Sequence, residues 1–300
     1  MGLVSYIRKW GEFVRFSHTV FALPFALAAM VVAARENQGW PGWRTFLLIV
    51  AAMVCARTCA MTFNRIMDRD FDAANPRTAM RHLPTGQISL AGAWILWSLS
   101  ALGFIAVTYF INALCFYLSP VALGVVCFYS LTKRFSNYTH LFLGIALALA
   151  PVGAWLAVDG AAIQPLEVAA MLVLSIAVVF WLVGFDIIYA MQDYEFDRQH
   201  GLHSLVVAWG PKNALDAAFL SHMLMWGLLL VFGLISRFRM VYLIGLLIIL
   251  VSLLFEHWLA RRRPLNWINL AFFRLNALIS TVFLVVTVGE VVFKGGFRLR

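Results

Sequence analysis

Acidic residues are scarce in this chain: 14 Asp and Glu stand against 23 Lys and Arg in 300 residues, and charged residues of all types make up only 12%. An ordinary soluble domain carries roughly 25%, so a water-facing globular surface is excluded. Cysteine is also sparse, with Cys55, Cys59, Cys115 and Cys127 all inside apolar runs. No His or further Cys stands near the Cys55/Cys59 pair in sequence, so inert packing is the expected role rather than metal binding. The basic residues form no single cluster but are scattered over separate loops, which gives no support to nucleic-acid binding. No cleavable signal peptide is expected either. The first apolar stretch is long, has Arg15 at its start and lacks a small-residue cleavage site, so mature structure is expected there.

What the chain has in abundance is apolar sequence, 63% of its residues, with a mean hydropathy of +0.86. Crossing a hydrocarbon core of about 30 Å takes about 20 helical residues. Runs of that kind are read at 14–34, 43–64, 89–111, 113–131, 140–158, 166–190, 213–236, 240–260 and 270–292. The expectation is an all-α polytopic membrane bundle of nine transmembrane helices, forming a single integral membrane domain over residues 1–300. The tight junction at 110–114 is a possible site for a hairpin that does not fully span.

With the N-terminus in the cytoplasm, the inward junctions collect Arg8, Lys9, Arg15, Arg65, Arg69, Arg77, Arg81, Lys133, Arg134, Arg198, Lys212, Arg261, Arg262, Arg263 and Arg274. The outward ones hold Arg35, Arg44, Arg237, Arg239, Lys294, Arg298 and Arg300. The positive-inside rule favours that orientation. The net charge of +9 fits attraction to anionic lipid and to anionic substrates equally well.

Against this background two acidic windows stand out. "NRIMDRDFD" runs from Asn64 to Asp72, and "DIIYAMQDYEFD" from Asp186 to Asp197; together they hold seven of the 14 acids. Aligned, Asp68 falls on Asp193, Asp70 on Glu195, Phe71 on Phe196 and Asp72 on Asp197. Both windows end an even-numbered span, so both emerge on the inward face. That suggests pseudo-repeats of about 14–134 and 140–260, each of four helices, plus one helix, around a central cavity.

A spacing of four puts Asn64, Asp68 and Asp72 on one helical face, and likewise Asp186, Tyr189 or Ala190, Asp193 and Asp197. Carboxylates stacked this way repel one another unless a cation sits among them. Hard oxygen ligands suit Mg²⁺, which is commonly held by one or two carboxylates plus substrate phosphate oxygens. A diphosphate bridged through Mg²⁺ is the expected ligand, and solvated helix-end charge is the alternative.

The two windows, the "RHLPTGQIS" that follows the first and the "YSLTKR" that closes the fourth span resemble the UbiA superfamily of intramembrane prenyltransferases, from Arg15 to the end of the ninth span. The resemblance implies a nine-helix bundle and transfer of a polyprenyl group from polyprenyl diphosphate to an aromatic acid acceptor, at a cytoplasmic face of what would be a bacterial inner membrane. The branch most similar is 4-hydroxybenzoate polyprenyltransferase, with dihydroxynaphthoate-acid relatives of the menaquinone route beside it. It implies Mg²⁺ ligands at Asn64, Asp68, Asp72, Asp186, Asp193 and Asp197, with Asp68 and Asp193 central to catalysis. Asp70 and Glu195 fall between motif positions and are not assigned. One departure is that many quinone-pathway members read "NRPLPSG" where this chain reads "MRHLPTG", which questions the loop around Arg81.

Other polar residues fall into place around such chemistry. Ionisation of an allylic C–O bond needs positive charge on the departing diphosphate, and Lys133, Arg134, Arg77 and Arg81 lie on the inward face; ordinary positive-inside placement is the alternative for each. Arg15 is a further diphosphate candidate, against membrane anchoring. Tyr189 is a candidate to stabilise the carbocation or help take a proton, against packing. Arg57 sits inside the second span, about 10 Å before Asn64 on the same face, where a charge is costly and usually functional. Its sharp reading is bidentate capture of the acceptor's carboxylate; pairing with Glu256 or Glu290, or snorkelling, is the alternative. From another class, a secondary transporter or divalent-cation carrier also uses paired repeats with acidic sites, but its acids belong near the midplane rather than at helix ends beside Arg and Lys.

Overall fold

The computed structural model describes residues 3–15, 19–262 and 265–293; Arg263, Lys294, Arg298 and Arg300, counted above for charge asymmetry, lie outside them. The described residues form twelve α-helices with short 3-10 segments and no strand: α1 Leu3–Phe13, α2 Thr19–Ala33, α3 Trp43–Met67, α4 Arg69–Ala74, α5 Leu90–Ile111, α6 Ala113–Phe128, α7 Thr139–Asp159, α8 Pro165–Ala190, α9 Tyr194–Gln199, α10 Leu205–Ile235, α11 Met240–Arg262 and α12 Leu265–Val292. In lipid the backbone must satisfy its own hydrogen bonds, and apolar runs of this length do so as helices. Packing groups the chain into two compact units, Met1–Thr19 with Leu47–Leu131 and Val20–Phe46 with Thr132–Arg300.

Eight helices among the described residues are long and apolar enough to cross a membrane, and a ninth apolar helix, Phe21–Ala33, is shorter. Among the described residues, then, eight of the nine expected runs appear as full-length helices and the first as a shorter one. There the chain turns at Val14 and Arg15, and Arg15 adopts φ 50°, a left-handed conformation that ends a helix rather than continuing it. The fourth run is completed by a 3-10 segment, Tyr129–Arg134, that carries α6 onward.

In the first unit, the junction at 110–114 is a hairpin made by a single residue. Asn112 has extended backbone; its N–H donates to Thr108 O at 3.3 Å, and its side-chain Oδ1 accepts from Cys115 N–H at 2.9 Å. One asparagine thus closes α5 and caps α6. The amphipathic α1 lays Trp10 and Phe13 on a cluster with Ile66, Leu83, Ile88 and Ala93, which backs the end of α3 and the loop after α4.

In the second unit α8 is the central helix, opened by Pro165 and a capping box between Gln164 and Glu167. Val183, Ile187, Ile188 and Ala190 pack against Leu205, Val206, Ala214, Leu215 and Ala218 of α10. Two small residues set the closeness of its neighbours. A Cβ on Gly144 would lie 2.9 Å from Val179 O, and one on Gly184 would collide with the His222 ring, the small-residue contact on which membrane helices rely. Phe21 and Phe25 of α2 pack on Trp181, and Phe25 also stacks on Phe283.

This second unit also encloses a polar chain. Trp181 Nε1 donates to Asn276 Oδ1 at 2.8 Å, and Asn276 Nδ2 donates to Glu256 Oε1 at 2.7 Å. His222 Nε2 donates to Trp181 O at 3.2 Å, which leaves His222 Nδ1 to accept from His257 Nε2 at 2.9 Å. His222 and Asn276 are fully buried.

Candidate functional site

The first acidic window begins where α3 gives way to α4. Asp68 stands at the break, yet Asp68 N–H donates to Asn64 O at 2.9 Å and Asp72 N–H to Asp68 O at 2.7 Å. These i to i−4 bonds carry the register across, so the face expected for Asn64, Asp68 and Asp72 survives the break. Asn64 Nδ2 donates to Asp68 Oδ2 at 2.9 Å. Asp70 points elsewhere: its side chain is 87% exposed and meets Arg69 at 3.1 Å.

Asp72 is buried and already engaged. Arg81 Nη1 donates to its Oδ1 at 2.6 Å, and Arg65 Nη1 lies 3.8 Å from its Oδ2. The segment after α4 brings Arg81 there. Asn75 ends the helix before Pro76, as the residue preceding proline is driven to extended backbone. Arg77 N–H then donates to Asn75 Oδ1 at 2.9 Å, and Thr78 Oγ1 to Asp72 O at 3.0 Å. The "RHLPTG" loop closes on itself through Thr85 Oγ1 to Arg81 O at 2.8 Å and Ile88 N–H to His82 O at 3.0 Å. Gly86 supplies the φ of +70° that the turn requires. The loop departs from the family pattern, but Arg81 is held. His82 packs edge-on to Phe13, and partial burial lowers its pKa.

Arg57 and Arg15 meet within this unit. Arg57 Nη2 donates to Arg15 O at 3.3 Å, while Arg57 Nε is buried without a hydrogen-bond partner. Arg15's side chain is exposed, as is that of Arg77. Of the acids considered as partners for Arg57, Glu256 accepts from Asn276 and Glu290 accepts from Tyr242 N–H at 3.1 Å.

The second window repeats the form, with a long helix, a brief break and a helix of six residues. The break is a 3-10 turn over Met191–Asp193, which adds about 60° of rotation relative to an α-helix over three residues. Asp186 therefore does not stay strictly above Asp193. Asp193 and Asp197 are buried, Glu195 is exposed and Asp186 is half-buried. Lys133 Nζ donates to Asp197 Oδ2 at 2.8 Å and lies within electrostatic reach of Asp193 and Asp186 too. His203 N–H fixes the backbone at Lys133 O, 2.8 Å away, and His203 Nδ1 pairs with Asn137 at 3.1 Å. His200 stacks on Phe196. Arg134 is exposed, and Tyr189 is half-buried against the α8–α10 core.

Two residues of these windows' surroundings escaped the sequence reading. His140, at the start of α7, donates through Nδ1 to Asp186 Oδ2 at 2.7 Å and is 1% exposed. Arg65, 6% exposed, flanks Asp72. The only signal for His140 is a polar residue opening an apolar run; for Arg65 it is position inside the motif itself.

The donor set is oxygen-only and suits a hard divalent ion. Among the described residues no cluster of three or more His, Cys, Asp or Glu is close enough to hold a metal unaided. Mg²⁺ fits such a set because it keeps waters and takes phosphate oxygens as further ligands. The four thiols are free, Cys59 and Cys115 being buried, in keeping with packing.

The UbiA prenyltransferase family profile matches residues 22–278. A 4-hydroxybenzoate octaprenyltransferase of Francisella tularensis subsp. tularensis is 30% identical over 270 residues, 89% of each chain. The apo structure of a UbiA homolog from Aeropyrum pernix K1 superposes with a TM-score of 0.81 at 30% identity, covering 90% of this chain and 96% of that one. A UbiA homolog from Archaeoglobus fulgidus bound to GPP and Mg²⁺ shares the fold with a TM-score of 0.69 at 22% identity, covering 93% and 99%. Two acidic windows of matched form, each beside a seated cation in an all-helical membrane chain, thus lie within a match spanning most of the sequence: the chain belongs to the UbiA prenyltransferase family and is a prenyltransferase.

Proposed function

We propose that the chain transfers a polyprenyl group from polyprenyl diphosphate to an aromatic acid, 4-hydroxybenzoate or a dihydroxynaphthoate acid, with Mg²⁺, at the cytoplasmic face of a bacterial inner membrane. The observation that carries this reading is the pairing of hard-oxygen motifs with held cations, Arg81 on Asp72 and Lys133 on Asp197. Each motif joins carboxylates for a divalent ion to a cation for a phosphate. The names of the curated relatives support 4-hydroxybenzoate as the acceptor, and the bound ligands of the Archaeoglobus protein support the diphosphate and the metal. The same family membership leaves the carrier alternative without support.

By spacing, the first motif offers Asn64, Asp68 and Asp72 to Mg²⁺ and the second offers Asp186, Asp193 and Asp197, of which Asp72 and Asp197 already hold Arg81 and Lys133. Bound there, Mg²⁺ would draw off charge from the departing diphosphate. Arg81, Lys133, Arg77, Arg134 and Arg15 share that role as fixed positive charge, which is most effective where water is excluded. Arg57 is assigned to the acceptor's carboxylate, its buried Nε having no hydrogen-bond partner. Tyr189 is assigned to stabilise the carbocation by its ring or to help take the departing proton.

The test is incubation of purified protein with Mg²⁺, a polyprenyl diphosphate and a panel of aromatic acids, with prenylated product read by mass. Product with 4-hydroxybenzoate that disappears with EDTA and returns with Mg²⁺ supports the reading, and Asp68→Ala and Asp193→Ala should each abolish it. Product only with the naphthoate acid would move the chain to the menaquinone route. No product with any acid would overturn the acceptor class.

A further inference from the structure

Asp72 belongs by spacing to the metal face of the first motif, but its surroundings are those of an anion that organises arginines. Arg81 Nη1 holds one carboxylate oxygen at 2.6 Å. The other oxygen is buried, accepts no hydrogen bond and lies 3.8 Å from Arg65 Nη1. Both Asp72 and Arg65 are more than nine-tenths buried. The backbone of the same residue is tied as well, Asp72 O accepting from Thr78 Oγ1 at 3.0 Å. A divalent cation on Asp72 would stand beside two guanidiniums and would be repelled by both. Asp68 stands one turn earlier on the same face, where its carboxylate accepts from the Asn64 amide at 2.9 Å, an amide whose own oxygen is a further hard ligand for a divalent ion.

The geometry points to a division of labour inside the motif, resting on the prenyl diphosphate reading above: Asn64 and Asp68 serve the metal, whereas Asp72 is a positioning residue that seats Arg81 and Arg65 for the diphosphate. Two arginines around one carboxylate leave an excess positive charge. A planar guanidinium fixed on one edge still offers its remaining N–H groups to a phosphate, with less rotamer entropy to lose on binding. This also accounts for the loop after α4. Its internal bonds return the chain from Asp72 to Arg81 within nine residues, and the departure from the family's loop sequence leaves that contact intact.

The test separates metal from phosphate by binding rather than turnover. Because the carboxylates need phosphate oxygens to complete a metal site, Mn²⁺ binding is followed by the loss of its free EPR signal at saturating non-hydrolysable prenyl thiolodiphosphate, and binding of that analogue is followed by calorimetry at saturating Mn²⁺, both on full-length protein in detergent. Asp72→Asn is expected to leave Mn²⁺ affinity within about 2-fold while weakening the analogue by roughly 10-fold, one charge-assisted bond's worth. Asp68→Asn should lose Mn²⁺. The analogue effect of Asp72→Asn should vanish in an Arg81→Ala background, because a positioning residue acts only through the group it positions. Asp72→Glu should restore part of the affinity. Loss of Mn²⁺ by Asp72→Asn comparable to that of Asp68→Asn, in either background, would overturn the assignment. Should Asp72→Asn fail to fold, Arg81→Ala alone decides: undiminished analogue binding would overturn the proposal. Wild type that binds no analogue at saturating Mn²⁺ would instead overturn the prenyl diphosphate reading itself.

Discussion

His140 Nδ1 donates to Asp186 Oδ2 across 2.7 Å, joining the first turn of α7 to the last two turns of α8. The carboxylate can only accept, so the bond fixes the imidazole tautomer with its proton on Nδ1. The bond also fixes one oxygen of a residue assigned to Mg²⁺. Partners of this kind typically change metal affinity or activity by about 10-fold to 100-fold when removed. His140→Ala should therefore raise the Mg²⁺ concentration for half-maximal activity within that range. His140→Asn, whose amide N–H can reach the same oxygen, should recover part of it. Equal Mg²⁺ dependence in His140→Ala and wild type would show that Asp186 needs no such support.

Within the first motif, Asp70→Asn should be much milder than Asp68→Asn. Asp70 is turned about 160° around the helix from Asn64, Asp68 and Asp72 by α-helical geometry, and its side chain is 87% exposed against Arg69. An exposed pair is worth about 0–1 kcal/mol, so kcat/KM should change less than about 5-fold. Comparable loss in both variants would mean that the face defined by the backbone bonds at Asp68 and Asp72 is not the functional one.

Arg57→Ala should raise the acceptor's KM and leave the apparent affinity for prenyl diphosphate nearly unchanged. Loss of a charge-assisted pair costs roughly 1.5–3 kcal/mol, or about 10-fold to 100-fold. Lysine at this position should rescue only in part, since a point charge cannot reproduce a planar contact. An acceptor without the carboxylate should barely distinguish mutant from wild type. If diphosphate affinity falls while acceptor kinetics hold, Arg57 belongs to the other substrate.

Gly184→Ala is expected to destabilise the protein without touching a proposed substrate contact. The new methyl would meet the His222 ring and lie 2.9 Å from Ala218 O. Overpacking of this kind costs about 1–3 kcal/mol. A lowered Tm in detergent checks it, with Gly124→Ala as the control because nothing lies within 4 Å of a Cβ there. An unchanged Tm for Gly184→Ala would show that α8 and α10 yield freely at this contact.

The motifs and their hard-oxygen character were legible because acids are rare here and their repetition at matched spacing needs no third dimension. The membrane architecture followed from run length alone, except at the first run, where the left-handed turn at Arg15 leaves no mark in hydropathy. Pairings were not legible. Lys133 reaches Asp197 from 64 residues away, and nothing local separates it from its exposed neighbour Arg134. The 3-10 turn at Met191–Asp193 likewise has no proline or glycine to announce it, so the face expected for Asp186, Asp193 and Asp197 was drawn as one straight helix. His140 reads in sequence as a lone histidine in an apolar stretch, which is usually packing.

The aromatics of α2 carry a consequence for biosynthesis. Phe21 and Phe25 pack on Trp181, and Phe25 on Phe283, partners made more than a hundred residues later. At about 5–20 residues per second of synthesis, the ribosome takes on the order of ten seconds to deliver α8. During that interval α2 has left the tunnel with nothing of its own unit to pack against, while the intervening α3–α6 complete the other unit. The docking of this short apolar helix on Trp181 and Phe283 must therefore wait for the synthesis of α8 and α12.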